Sequence, residues 1–97
     1  MKRQELFNEL KQLELQHDID ALMFELWALE DDDPTAKKEH KKRSKAYKGR
    51  ALGVFEAIEV MFDGEMLEHS LNEDNSLLLK RWCELDDQIT NLKREVA

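Results

Sequence analysis

Leu-Glu-Asp-Asp-Asp-Pro-Thr-Ala, residues 29–36, is the stretch whose reading decides the fold. An Asp directly before Pro offers its carboxylate to the unpaired amides of a helix start. The proline ring is already set at the φ of the first helical position. A helix is therefore predicted to begin at Pro34, and a preceding one to end at about Glu30. Two long helices joined by so short a turn lie side by side as an antiparallel hairpin.

Outward from that turn, the first helix is predicted over about residues 2–30 and the second over about 34–62, where Asp63 and Gly64 supply a stop. Ser70-Leu-Asn-Glu73 reads as a capping box for a third helix over about 70–95, with Asp74 or Asn75 as alternative caps. Three Gly and one Pro in 97 residues agree with a chain that is mostly helix. The expectation is one all-α domain over residues 1–97, a helical hairpin plus a third, coiled-coil-like helix, completed by self-association.

The apolar pattern points to that association. In the third segment Leu71, Leu78, Trp82, Leu85, Ile89, Leu92 and Val96 keep a four-three spacing with one lapse at Asn75. The second carries a stripe of Tyr47, Ala51, Val54, Phe55, Ile58, Met61 and Phe62. The first has Leu6, Leu10 and Leu13 on one face, and Leu15, Ile19, Leu22, Leu26 and Leu29 nearly opposite. Phe24, Trp27 and Ala28 fill the gap, so that over residues 21–29 only Glu25 is polar. A helix that is apolar all round is buried all round, and two further helices are expected to cover only two of its sides. A second chain is expected to cover the rest, a dimer being the commonest closed form. Gly49, Gly53 and Ala57 recur every four residues, with Ala46 beside them. Because an interior helical Gly costs about 1 kcal/mol relative to Ala, close approach of another helix is the expected reason. The expected self-association residues are Leu22, Phe24, Leu26, Trp27, Gly49, Gly53, Ala57, Leu78, Trp82, Leu85, Ile89 and Leu92.

Charge is strongly segregated. Residues 37–50 hold eight of the fifteen basic residues (Lys37, Lys38, Lys41, Lys42, Arg43, Lys45, Lys48 and Arg50) and one acid, Glu39. That segment is +7 and the rest of the chain −14, for a net charge of −7. Folding about the turn brings together residues whose numbers sum to about 67, which sets Lys37 against Glu30, Lys42 against Glu25, Lys48 near Asp20 and Arg50 near Asp18. The expectation is that the basic run is matched by this acidic arm. The alternatives are contact with a nucleic-acid backbone or with an acidic protein partner, through the same eight residues.

Catalytic and metal signals are weak. Glu14-Leu-Gln-His17 has the Glu-x-x-His spacing of di-iron bundles, but no further inward carboxylate completes a site, so neither metal nor cofactor is expected. His17 reads as a boundary histidine, and His40 and His69 as solvated. Cys83 has no neighbouring base and falls off the seam. The sequence contains no Gly-rich phosphate loop and no His/Cys cluster. No apolar run approaches the roughly 20 residues of a membrane span. Residues 1–6 (MKRQEL) read as no signal peptide, and a single Cys points to a reducing, cytoplasmic setting. The functional expectation is a cytoplasmic, homo-oligomeric protein-protein interaction module, an adaptor or inhibitor without catalysis. The alternative is a small nucleic-acid-binding protein using residues 37–50.

Overall fold

The computed structural model describes residues 2–63 and 71–96, all but the side chain of Val96. Three helices account for nearly all of them: α1 (Arg3–Glu30), α2 (Pro34–Met61) and α3 (Glu73–Val96). The turn forms as its chemistry requires. Asp33 accepts a hydrogen bond from the Thr35 amide at 3.2 Å, Pro34 opens α2, and the Lys37 amide donates to the Asp33 carbonyl at 2.9 Å. The predicted stop at Gly64, Ser70 of the predicted capping box and His69 lie outside the described residues. The cap that does form on α3 is Asn72, whose side-chain oxygen accepts from the Asn75 amide at 2.9 Å. Neither Asp74 nor Asn75 is the cap. Glu73 and Asp74 in the first turn and Lys93 and Arg94 in the last complement the helix dipole.

α1 is the central element. α2 runs antiparallel to it and α3 parallel, and among the described residues no Cα of α2 lies within 8 Å of one in α3. The molecule is rod-like, 47 × 21 × 19 Å. On one side of α1, Ile19, Leu22 and Leu26 bury against Leu85 and Ile89 of α3, with Met23, Leu29, Leu78, Trp82 and Leu92 packed around them. On another, Phe7 meets Ile58 of α2 and Phe62 just past its end, its ring edge-on to that of Phe62 at 5.6 Å. Where α2 lies against α1 the hairpin also closes on small residues. Ala21, Ala28, Ser44 and Ala51 are all buried, and the Ser44 hydroxyl donates to the Ala21 carbonyl at 2.8 Å.

Two expectations change here. The apolar circumference of residues 21–29 is largely covered within the chain: Ala21, Leu22, Leu26 and Ala28 are buried, Met23, Phe24 and Leu29 partly so, and Trp27 alone of its apolar members is exposed, at 42%. Two helices cover so much of α1 because they dock on nearly opposite sides of it. The four-three seam of α3 is likewise not free, since it is the surface that packs on α1. Its lapse at Asn75 has a purpose. That side chain is fully buried and donates to the Asn8 carbonyl at 2.9 Å and to Asn8 Oδ1 at 3.0 Å. Asn8 Oδ1 also accepts from the Asn72 amide at 3.1 Å, so one buried amide on α1 meets both the cap and the first turn of α3. A polar group on an otherwise apolar seam fixes register, because sliding the helix by a turn would leave it buried and unpaired.

Candidate functional site

The predicted matching of the basic run by the acidic arm forms at one residue only among the described residues. Lys48 alone of the eight cations reaches a carboxylate of α1, and that carboxylate is Glu25, at 3.7 Å, not Asp20. Arg43 pairs within its own helix, with Glu39 at 3.2 Å. Among the described residues Lys37, Lys38, Lys41, Lys42 and Lys45 make no ion pair, and all but Lys37 are exposed. Arg50 lies over the Tyr47 ring at 4.8 Å and Arg43 over Phe24 at 5.8 Å. The physical reason is rotation. The residues of α2 turned toward α1 are His40, Ser44, Tyr47 and Ala51, and the lysines between them point sideways or outward.

What faces α1 instead is a ladder of rings. Phe24 and Tyr47 stack at 5.6 Å with 12° between their planes, Trp27 stands edge-on to Phe24 at 5.2 Å, and His40 lies 6.0 Å from Trp27. His40 Nε2 also meets Asp31 at 3.4 Å, so this histidine is tied to the turn instead of being solvated. His17 sits 6.0 Å from Tyr47, at the boundary where it is expected. The ladder was legible only in part, because its rings come from two helices whose relative rotation the sequence does not give.

A cleft of about 480 Å³ lies between α2 and α3, with Ala28, Leu29 and Ser44 on its floor and Lys41, Lys45, Lys48 and Lys93 around it. Glu25 stands inside, held by Lys93 at 3.0 Å and by Lys48 at 3.7 Å. That clasp joins all three helices, though each lysine is more than half exposed and each bond is worth at most about 1 kcal/mol. The charge of Lys41 and Lys45 is not cancelled there.

The Glu14 and His17 pair does not become a metal centre in the described residues. Glu14 is buried and held by Lys11 at 3.0 Å, and no group of three or more His, Cys, Asp or Glu side chains comes together there. Cys83 is exposed. No helix among the described residues is long and apolar enough to cross a membrane.

Burial pushes the Asp18 carboxyl above its ordinary range, and the neighbouring Glu14 adds to the rise, against the opposing pull of Lys11, His17 and Lys48. A raised carboxyl binds its proton more tightly in the folded chain than in the unfolded one. Its contribution to stability is therefore present at low pH and lost as pH climbs from about 3.8 through the raised folded value. Asp18→Asn should accordingly raise the melting temperature at pH 7 and leave it unchanged well below pH 3.8. Thermal melts at the two pH values check this; a lower melting temperature at pH 7 would mean that attraction to Lys11 and Lys48 outweighs burial.

The expected self-association residues divide sharply. Leu22, Leu26, Leu85 and Ile89 are buried in the chain's own core, and Phe24, Leu78, Trp82 and Leu92 are partly buried. Trp27, Gly49, Gly53 and Ala57 remain exposed. Among the described residues a Cβ added at Gly49 or Gly53 would meet nothing within 4 Å, so no packing there explains either glycine. Compared with protein-family profiles, curated proteins and solved structures, the chain matches none.

Proposed function

We propose that the chain is a small, non-catalytic protein-protein interaction module that works as a cytoplasmic homo-oligomer, most simply a dimer. The observation that carries this reading is the side of α2 turned away from α1. There two interior glycines stand open, Leu52 is 56% and Val60 82% exposed, and the exposed, unpaired Lys38, Lys42 and Lys45 follow the same side. Each interior Gly costs about 1 kcal/mol of helix stability, which close approach of a second helix would offset. The single cysteine supports the cytoplasmic part of this reading.

Sedimentation equilibrium at tens of micromolar tests the reading, and an 11.5 kDa monomer across that range overturns it. Gly53→Leu sharpens it. In the isolated chain the new side chain meets only solvent, so helix content by circular dichroism should hold while the oligomer dissociates. Retained oligomer in this variant would move the interface elsewhere.

A second reading is favoured by the five unpaired lysines over residues 37–45, which could follow a phosphate backbone. Fluorescence anisotropy with mixed-sequence DNA and RNA decides it. Submicromolar binding at physiological salt that weakens steeply as salt rises would establish nucleic-acid binding.

A further inference from the structure

The outward side of α2 reads, at alternating steps of four and three, Lys38, Lys42, Lys45, Gly49, Leu52, Glu56 and Glu59, and every one of these residues is exposed. Such spacing keeps side chains on one line along a helix that meets another helix. The line has a further property. Read backwards it is its own electrostatic complement, cations at one end, carboxylates at the other, and a glycine beside a leucine in the middle.

We infer that a second copy of this chain docks along that line, α2 against α2, antiparallel about a two-fold axis near residues 50 and 51. Residues whose numbers sum to about 101 then stand opposite each other. Lys42 faces Glu59 of the second copy, Lys45 faces Glu56, and Leu52 sits over Gly49, where the missing side chain lets the backbones approach. Lys38 stands opposite the exposed Asp63 of the second copy. The axis repeats every pair. A parallel pairing would set lysine on lysine and glutamate on glutamate along the whole line, so the charge pattern selects orientation as well as partner. Among the described residues nothing obstructs the approach: α2 meets α1 through Ser44, Ala51 and Ile58, on its other side, and no Cα of α2 comes within 8 Å of one in α3. The inference rests on the self-association proposed above and adds its geometry.

In a Cys83→Ser background, the single-cysteine chains Lys42→Cys and Glu59→Cys are mixed and oxidised. The expected product is the mixed disulfide between positions 42 and 59, in excess over either homodisulfide, whose sulfurs would be held about 26 Å apart at 1.5 Å per residue. In parallel, Lys45→Glu and Glu56→Lys should each weaken dimerisation about tenfold or more, while both changes in one chain restore it to near the parent value. Both positions are exposed, and helix content by circular dichroism confirms that each variant folds. Homodisulfides in excess, or a double variant no better than the singles, overturns the inference while a dimer seen by sedimentation leaves self-association standing. A monomer at every concentration overturns both. Submicromolar duplex binding lost in Lys45→Glu and not regained in the double variant would assign the lysines to a phosphate backbone and likewise overturn the pairing.

Discussion

Leu85→Ala should destabilise the chain by about 2–5 kcal/mol, the cost of truncating a buried leucine and leaving part of its volume empty. Leu85 is wholly buried and lies at the centre of the α1–α3 contact, among Ile19, Leu22, Leu26 and Ile89. Among the described residues α3 packs its backbone close to α1 and not to α2, so the loss falls on the α1–α3 interface. For a domain of this size that is a fall of at least about 8 °C in melting temperature. Urea titration followed by circular dichroism gives the free energy directly. Leu77→Ala is the control: Leu77 is 59% exposed on the same helix, and its removal should change stability by no more than about 0.5 kcal/mol. Equal effects at the two positions would mean that α3 does not use this face.

Asn75→Ala should cost about 2–3 kcal/mol, although the side chain removed is polar. Two hydrogen bonds to Asn8 disappear, and the Asn8 amide stays buried with fewer partners. The parent arrangement is itself not fully satisfied, since Asn75 Oδ1 is buried without a hydrogen-bond partner. Asn75 is thus kept for where it places α3 more than for the strength of its bonds. The double variant Asn8→Leu with Asn75→Leu should therefore cost less than the sum of the two single changes, because the polar groups leave together. It should also loosen the register, seen as doubled or broadened amide resonances for residues at the start of α3. A sharp single set of resonances in the double variant would show that apolar packing alone places the helix.

Both expectations concern α1–α3, and that interface was legible only in outline. The seam of Leu78, Trp82, Leu85, Ile89 and Leu92 is evident in the spacing, and the structure places it on a partner helix. The partner is α1 of the same chain, so the seam that seemed available for a second copy is taken. Asn75 reads in sequence as a flaw in the repeat and becomes, beside Asn8, the register lock. No local signal joins two asparagines 67 positions apart. The glycines run the other way. Their spacing alone raises the question of a close contact, and no described residue of the chain answers it.

The sequence by itself determined the three helices and the antiparallel hairpin. Those follow from local chemistry: Asp33 capping, Pro34 opening a helix, and apolar residues returning at the helical period. It also determined height along the hairpin. Ser44 meeting Ala21, His40 meeting Asp31 and Phe7 meeting Phe62 all stand within a few residues of the register that folding about the turn requires. Tertiary structure decided the angle. Two residues at the same height on neighbouring helices touch only if both helices are turned to face each other, and each residue moves a side chain by 100° around the axis. That rotation is set by the tight fit of Ala21, Ser44 and Ala51 and by the stacking of Phe24 on Tyr47. Charges, whose pairs are worth little at a surface, follow where packing turns them. That is why the lysines of α2, Lys48 apart, stand beside the acidic helix without pairing to it.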